Sequence, residues 1–254
     1  MTNTNVKAFL GYPIPFGNVC TIYPPTVEKS LMTQNYSYIQ KLFTLSQEEI
    51  EDMYTEHEQK TGENLGTPPT PFQYLLTQAY TNPQNYDTIK NGFNLFCQVD
   101  ITILFDRKEI WLCDFEKELA NDKTIEELMT IPKITEENYF DFQNKIRESL
   151  GVKPIENYKL ITNERIRQMK AKERYRDRVK EKRQKGISLE TTLVTICCMG
   201  IGITPLNIGK LSCAALSSLM KTYQDKEKYG IDIDMLLAGA DSKKIHPKYW
   251  ISNE

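Results

Sequence analysis

The stretch of sequence with the most suggestive chemistry is CCMGIGITPLNIGKLS, residues 197–212. Its glycines and its lysine suggest a loop that binds the phosphates of a nucleotide. Such a loop reads G-x-x-x-x-G-K-[ST], so that with Gly209 and Lys210 in place a glycine belongs at residue 204 and a hydroxyl at residue 211. Those positions hold Thr204 and Leu211, which offer neither the backbone freedom of glycine nor a hydroxyl for magnesium. The sequence therefore argues against nucleotide binding.

The same stretch has the features of a turn between two helices. Ser188 is a suitable N-cap for a helix that continues to Met199. Gly200 and Gly202 can adopt the left-handed conformation that ends a helix, and the next helix is expected to begin near Ser212. The pattern predicts a helical hairpin, with no catalytic role for the turn.

Cysteine and histidine are too scattered to indicate a metal site. There is no C-x-x-C pair, and His57 and His246 lie far from the cysteines in sequence. The acidic residues around His57 are typical of a solvated helix face, and no Ser-His-Asp or Cys-His arrangement can be assigned. Cys197, Cys198 and Cys213 are expected to be small core residues. We therefore assign no catalytic, cofactor-binding or metal-binding residue, and the chain is not expected to be an enzyme.

The charges are distributed unevenly. Residues 162–185 contain eleven Lys or Arg and four Asp or Glu, a formal charge of +7, so the remainder carries −9 within a total of −2. This segment has only a thin apolar stripe and is expected to form an exposed basic helix over residues 163–185. It is predicted to contact a protein partner, with nucleic acid as the less favoured alternative. The residues assigned to that surface are Arg167, Lys170, Arg174, Arg178 and Lys182.

Signals for helices and strands place these features in a fold. Ser46 with Glu49 and Thr70 with Gln73 have the spacing of capping boxes, which predicts a helix after each. Two β-rich runs on either side of a polar turn predict a hairpin near residues 100–113. A further amphipathic helix is expected to end at Gly151.

The expected fold is α+β and mainly helical. The first thirty residues lack helical periodicity and predict a small β-rich part, whereas the C-terminal part is predicted to be helical. We expect an N-terminal α+β domain over residues 1–151, the exposed basic helix over 162–186, and a helical C-terminal domain over 187–254. The apolar run 191–209 is interrupted by glycine and proline, so no membrane span is expected.

The C-terminal sequence resembles proteins encoded in the tail modules of bacteriophages that infect low-GC Gram-positive hosts. The most distinctive segments are LNIGKL, KEKY and LLAGADSKK, with KAKERYRDRVKEK before them, and FLGYPIPF and TPFQYLL are more loosely similar. Proteins of this family are regarded as tail-assembly chaperones, which hold the tape-measure protein soluble while tail-tube subunits polymerise around it. The family has no catalytic motif.

The resemblance implies a non-enzymatic role in phage tail morphogenesis, in the cytoplasm of the infected bacterial host. The implied partners are the tape-measure and tail-tube proteins, with self-association as a further possibility. Two alternatives remain open from the residues: a structural component of the virion tail or connector, and a nucleic-acid-binding phage regulator that uses the basic helix.

Overall fold

The computed structural model describes residues 3–63, 65–120, 127, 130–155, 166, 169–170, 173–174, 189–239, 245, 247 and 249. Within these ranges the chain is mainly helical, with two small antiparallel sheets. The helices are α1 (Asn3–Phe9), α2 (Val27–Met32), α3 (Tyr36–Thr44), α4 (Gln47–Thr61), α5 (Pro71–Thr81), α6 (Pro83–Cys97), α7 (Phe115–Ala120), α8 (Glu136–Ser149), α9 (Leu189–Cys198) and α10 (Cys213–Leu237). The strands are β1 (Ile14–Phe16), β2 (Cys20–Ile22), β3 (Thr102–Leu104), β4 (Glu109–Trp111) and β5 (Lys133–Ile134).

The main core is built from the apolar faces of α3, α5, α6 and α8. Phe43, Phe93 and Phe142 lie at its centre and are fully buried. The rings of Phe93 and Phe142 stack with centroids 5.5 Å apart, and Phe43 meets Phe93 edge to face at 5.2 Å. Such aromatic pairs add to the free energy of burial, so these three rings hold the helices in one arrangement.

The two sheets are hairpins added to this helical core. β1 pairs with β2, and β3 pairs with β4, which also pairs with β5. The predicted hairpin near residues 100–113 is confirmed, and so is the mainly helical α+β fold. The first thirty residues also contain a helix that was not predicted, since residues 3–9 form α1 and pack against α8 and α10.

Local capping determines where several helices begin and end. Both predicted capping boxes are present, with Ser46 and Glu49 at the start of α4 and Thr70 and Gln73 at the start of α5. The side chain of each N-cap residue accepts a hydrogen bond from a backbone amide that has no partner within the helix. After α8 the chain turns at Gly151, whose φ is +71°, as predicted.

A second, smaller core joins the C-terminal helices to α2. Its buried members are Val27, Ile196, Ile208 and Leu216. The chain entering α10 is hydrogen bonded to the segment before α2, since the amide of Val27 donates to the carbonyl of Leu211 at 2.9 Å. The first turn of α10 also reaches the main core, because Ala214 belongs to it. The predicted boundaries of the three segments stay a prediction.

α10 is a single long helix. It runs from Cys213 to Leu237 and continues through Gly230. Its first turns are buried, whereas most residues after Met220 are exposed. None of the helices described is both long enough and apolar enough to cross a membrane.

Candidate partner-binding surfaces

Several backbone amides of the turn between α9 and α10 donate hydrogen bonds within the turn itself. Gly200 and Gly202 have φ values of +68° and +79°, so the predicted left-handed stop of α9 is confirmed. The amide of Thr204 donates to Oδ1 of Asn207 at 2.8 Å, and Nδ2 of Asn207 donates to the carbonyl of Gly202 at 3.0 Å. The amides of residues 207, 208, 210 and 211 donate to carbonyls within the same turn. Because these donors are used internally, the stretch serves to connect two helices.

The cysteines are less uniformly buried than predicted. Cys198 is exposed, which corrects the expectation that it is a core residue, whereas Cys197 and Cys213 are partly buried. Elsewhere, Cys20 and Cys97 lie with their sulfur atoms 3.9 Å apart. The hydrogen bond with Cys20, together with burial, raises the pKa of the Cys97 thiol. Cys97 therefore stays protonated at neutral pH and packs as an apolar residue.

The basic segment contacts the acidic helix α4 through Arg174. Nε of Arg174 donates to Oδ1 of Asp52 at 3.0 Å, and Nη2 lies 3.6 Å from Oε2 of Glu51. The side chains of Asp52 and Glu51 are only 4% and 6% exposed, so Arg174 supplies positive charge to two buried carboxylates. Arg174 is thus engaged within the chain, whatever else the basic segment binds.

Of the other four predicted partner-binding residues, Lys170 lies within the described part of the chain. Lys170 is exposed, and so are the nearby apolar residues Ile166 and Met169. Arg167, Arg178 and Lys182 lie outside the described residues. The role of all five basic residues in binding a partner stays a prediction.

Sequence reasoning missed a groove between α9 and α10. It has a volume of about 430 Å³ and is open to solvent. Thr191 and Thr195 line the α9 side, and Met220, Tyr223 and Ile231 line the α10 side. The residues on α10 recur at i, i+3 and i+11, which places them on one face of the helix. That spacing was a signal in the sequence, but the groove also needs α9 alongside.

The groove continues along α10 as a bare apolar stripe. Ile231 is 57% exposed and Met235 is 47% exposed. The opposite side of this part of the helix is partly covered, since the ring of Tyr229 contacts that of Tyr249 with centroids 5.5 Å apart. Ile231 and Met235 therefore lie on the open face of the helix, and a surface of this kind can receive another amphipathic helix.

The comparisons with known proteins concern the same C-terminal region. Residues 180–254 match the family model described as YomV second domain, a phage-derived family. This range contains α9, α10 and the groove between them. No curated protein and no solved structure is significantly similar to the chain.

Proposed function

We propose that the chain is a non-enzymatic phage tail-assembly chaperone that binds an amphipathic helix of the tape-measure protein. The observation that carries the proposal is the open apolar groove between α9 and α10, within the segment that matches a phage-derived family. Helix-in-groove binding covers an apolar stripe on the partner that would otherwise aggregate. The groove is lined by Met220, Tyr223 and Ile231 together with threonine, glutamine, glutamate and lysine side chains. Its methionine suits a long, repetitive partner, because methionine adapts its shape to different neighbours.

The charges of the chain support a second contact with such a partner. Lys170 is exposed on the basic segment, next to the exposed side chains of Ile166 and Met169. An acidic partner helix would be attracted to this segment and then held by apolar packing in the groove. Arg174 favours a protein partner over nucleic acid, since its guanidinium group already pairs with Asp52 in the same chain.

The proposal is tested by co-expressing the full chain with a tape-measure fragment and measuring how much fragment remains soluble and is captured. Ile231→Asp places a charge on the wall of the groove and should weaken capture by at least about tenfold, because the carboxylate would be desolvated without a partner. Leu237→Asp is the matched control, since Leu237 is 81% exposed on the same helix but does not line the groove.

Equal capture by the two variants, or insolubility of the fragment beside the wild-type chain, would overturn the proposal. Mass spectrometry of purified virions addresses the structural alternative. A chaperone should be absent from mature particles, whereas a tail or connector component should be present in a fixed number of copies per virion.

A further inference from the structure

We infer that a second copy of the chain binds the groove, so that two α10 helices pack antiparallel across a two-fold axis. This contact between two copies goes beyond the proposed function, because it can form whether or not the chain also binds a tape-measure protein. Three features of α10 carry it: an exposed apolar stripe, a pattern of alternating charges beside the stripe, and a glycine in the middle of the helix.

The apolar stripe is largely exposed along the second half of the helix. Met220 and Tyr223 are partly buried beside α9, whereas Ile231 and Met235 are 57% and 47% exposed. An antiparallel second copy would lay its own Met220 and Tyr223 near Met235 and Ile231 of the first. Each copy would thus cover the bare half of the other, and the same contact would form twice, as two-fold symmetry requires.

The charges along one edge of the stripe indicate that a second copy of the chain binds there. Lys221, Asp225, Lys228 and Asp232 follow one another at i+4, i+3 and i+4, and therefore share one side of the helix. Within the described part of the chain none of the four has an ion-pair partner within 4.0 Å. From Lys221 onwards the charges are plus, minus, plus, minus, and from Asp232 backwards they are minus, plus, minus, plus. A second copy in the reverse direction therefore presents the opposite charge at every position.

An antiparallel pair therefore matches every charge on this edge. With the axis between residues 226 and 227, Lys221 of one copy lies level with Asp232 of the other, and Asp225 lies level with Lys228. Because each pairing occurs twice, four contacts of opposite sign form. A parallel, in-register pair would place each charge level with an identical one, which is unfavourable. The charges on this edge therefore favour a second copy of the same chain in the antiparallel direction.

Gly230 provides the third feature. A glycine inside a helix costs roughly 0.5–1 kcal/mol relative to alanine. An added Cβ at Gly230 would have no described atom within 4 Å, so nothing within the described chain requires a glycine there. In the antiparallel pair Gly230 lies level with Tyr223 of the second copy, on the side away from the charged edge. The missing side chain leaves room for that ring.

The first test measures the dimer by sedimentation equilibrium. We expect the wild-type chain to dimerise, and Lys221→Glu with Lys228→Glu to weaken the dimer at least about tenfold by creating four like-charge contacts. Exchanging all four signs, with Lys221→Asp, Asp225→Lys, Lys228→Asp and Asp232→Lys, should restore a homodimer. This exchanged chain should not mix with the wild type, a result that ion pairs within one helix do not produce.

The second test measures direction by disulfide cross-linking in mild oxidant. Glu227→Cys lies at the two-fold axis and should link two copies, whereas Ala238→Cys, at the far end of the same face, should not. Both variants are made together with Cys213→Ser, because the antiparallel register places position 238 level with residue 215 of the second copy, beside Cys213. The difference between them then reports the introduced thiol. Gly230→Gln should raise the helix content measured by circular dichroism and still weaken the dimer.

Three results would overturn the inference. The first is a wild-type chain that stays monomeric at about 500 µM, roughly the weakest affinity expected of a specific contact. The second is a dimer whose affinity the charge reversals leave unchanged. The third is cross-linking of Ala238→Cys as efficient as that of Glu227→Cys, which would indicate a parallel pair or a different surface. The first result would leave the groove to a different protein, and the other two would rule out the antiparallel contact between two copies.

Discussion

Gly92 lies inside α6 where that helix crosses α3, and its lack of a side chain determines how closely the two helices approach. A Cβ added to Gly92 would overlap Cε2 of Phe43 and would lie 2.7 Å from Cζ of the same ring and 3.1 Å from Cγ2 of Ile39. Phe43 and Ile39 are fully buried, so neither can move aside without disturbing the core. Gly230 is also helical, but a Cβ added there would have no described atom within 4 Å.

We expect the same substitution to have opposite effects at these two glycines. Gly92→Ala should lower the free energy of unfolding by about 1–3 kcal/mol, because the added methyl group overpacks the core. Gly230→Ala should raise it by up to about 1 kcal/mol, because alanine favours the helix. Urea denaturation at a low protein concentration, where the chain is monomeric, measures both. Stabilisation by Gly92→Ala would mean that α3 and α6 are further apart.

Sequence patterns correctly predicted features that depend only on residues close by in the sequence. The capping boxes at Ser46 and Thr70 and the left-handed conformation of Gly200 are local, and all three were predicted correctly. The exposure of Cys198 was not, because burial depends on which helix packs against a residue, and two adjacent cysteines on a helix face different directions. The requirement for glycine at position 92 was equally hidden, since Phe43 is distant in sequence.

At the scale of elements, the basic segment has a defined contact with α4. The sequence predicted its charge and exposure but not its neighbour, because an excess of positive charge does not say which acidic surface will hold it. Arg174 reaches Asp52 and Glu51, and both carboxylates are buried. A buried carboxylate without a cation is costly, so the contact ties the segment to the N-terminal part of the chain.

Removing the charge of Arg174 should therefore destabilise the chain, whereas removing a neighbouring charge should not. We expect Arg174→Met to lower the free energy of unfolding by about 1–3 kcal/mol, since Asp52 and Glu51 lose a cation. Lys170→Met, at an exposed position of the same segment, should change it by less than about 0.5 kcal/mol. Chemical denaturation compares the two variants, and equal effects would show that the contact with α4 contributes nothing to stability.

At the scale of the whole molecule, the candidate site arises from the position of α9 beside α10. The helices and the turn between them were predicted, but their packing also depends on Val27 of α2, which meets them in the second core. Periodicity in α10 alone indicates an apolar face and cannot say whether that face is covered. The groove exists because α9 covers the first half of the stripe and leaves the second half exposed.

The two proposed occupants of the groove lead to a last prediction, which rests on the proposed function. A tape-measure helix and the α10 helix of a second copy would cover the same residues, Met220, Tyr223 and Ile231. Two ligands that need one surface exclude each other, so the fragment should bind the monomer and dissociate the dimer. Fluorescence anisotropy of a labelled fragment should then report weaker apparent binding as the total chain concentration rises above the dissociation constant of the dimer.

The variant with Lys221→Glu and Lys228→Glu is the control, because it loses the dimer and keeps Met220, Tyr223 and Ile231. Lys228 also lines the groove, so the control is judged by how affinity depends on chain concentration and not by the affinity itself. Its apparent affinity for the fragment should not depend on the chain concentration in this way. Sedimentation of the wild-type mixture should give a complex of one chain with one fragment. A complex of two chains with one fragment would contradict competition, since it would require the dimer to present a further surface to the tape-measure helix while its two grooves remain filled.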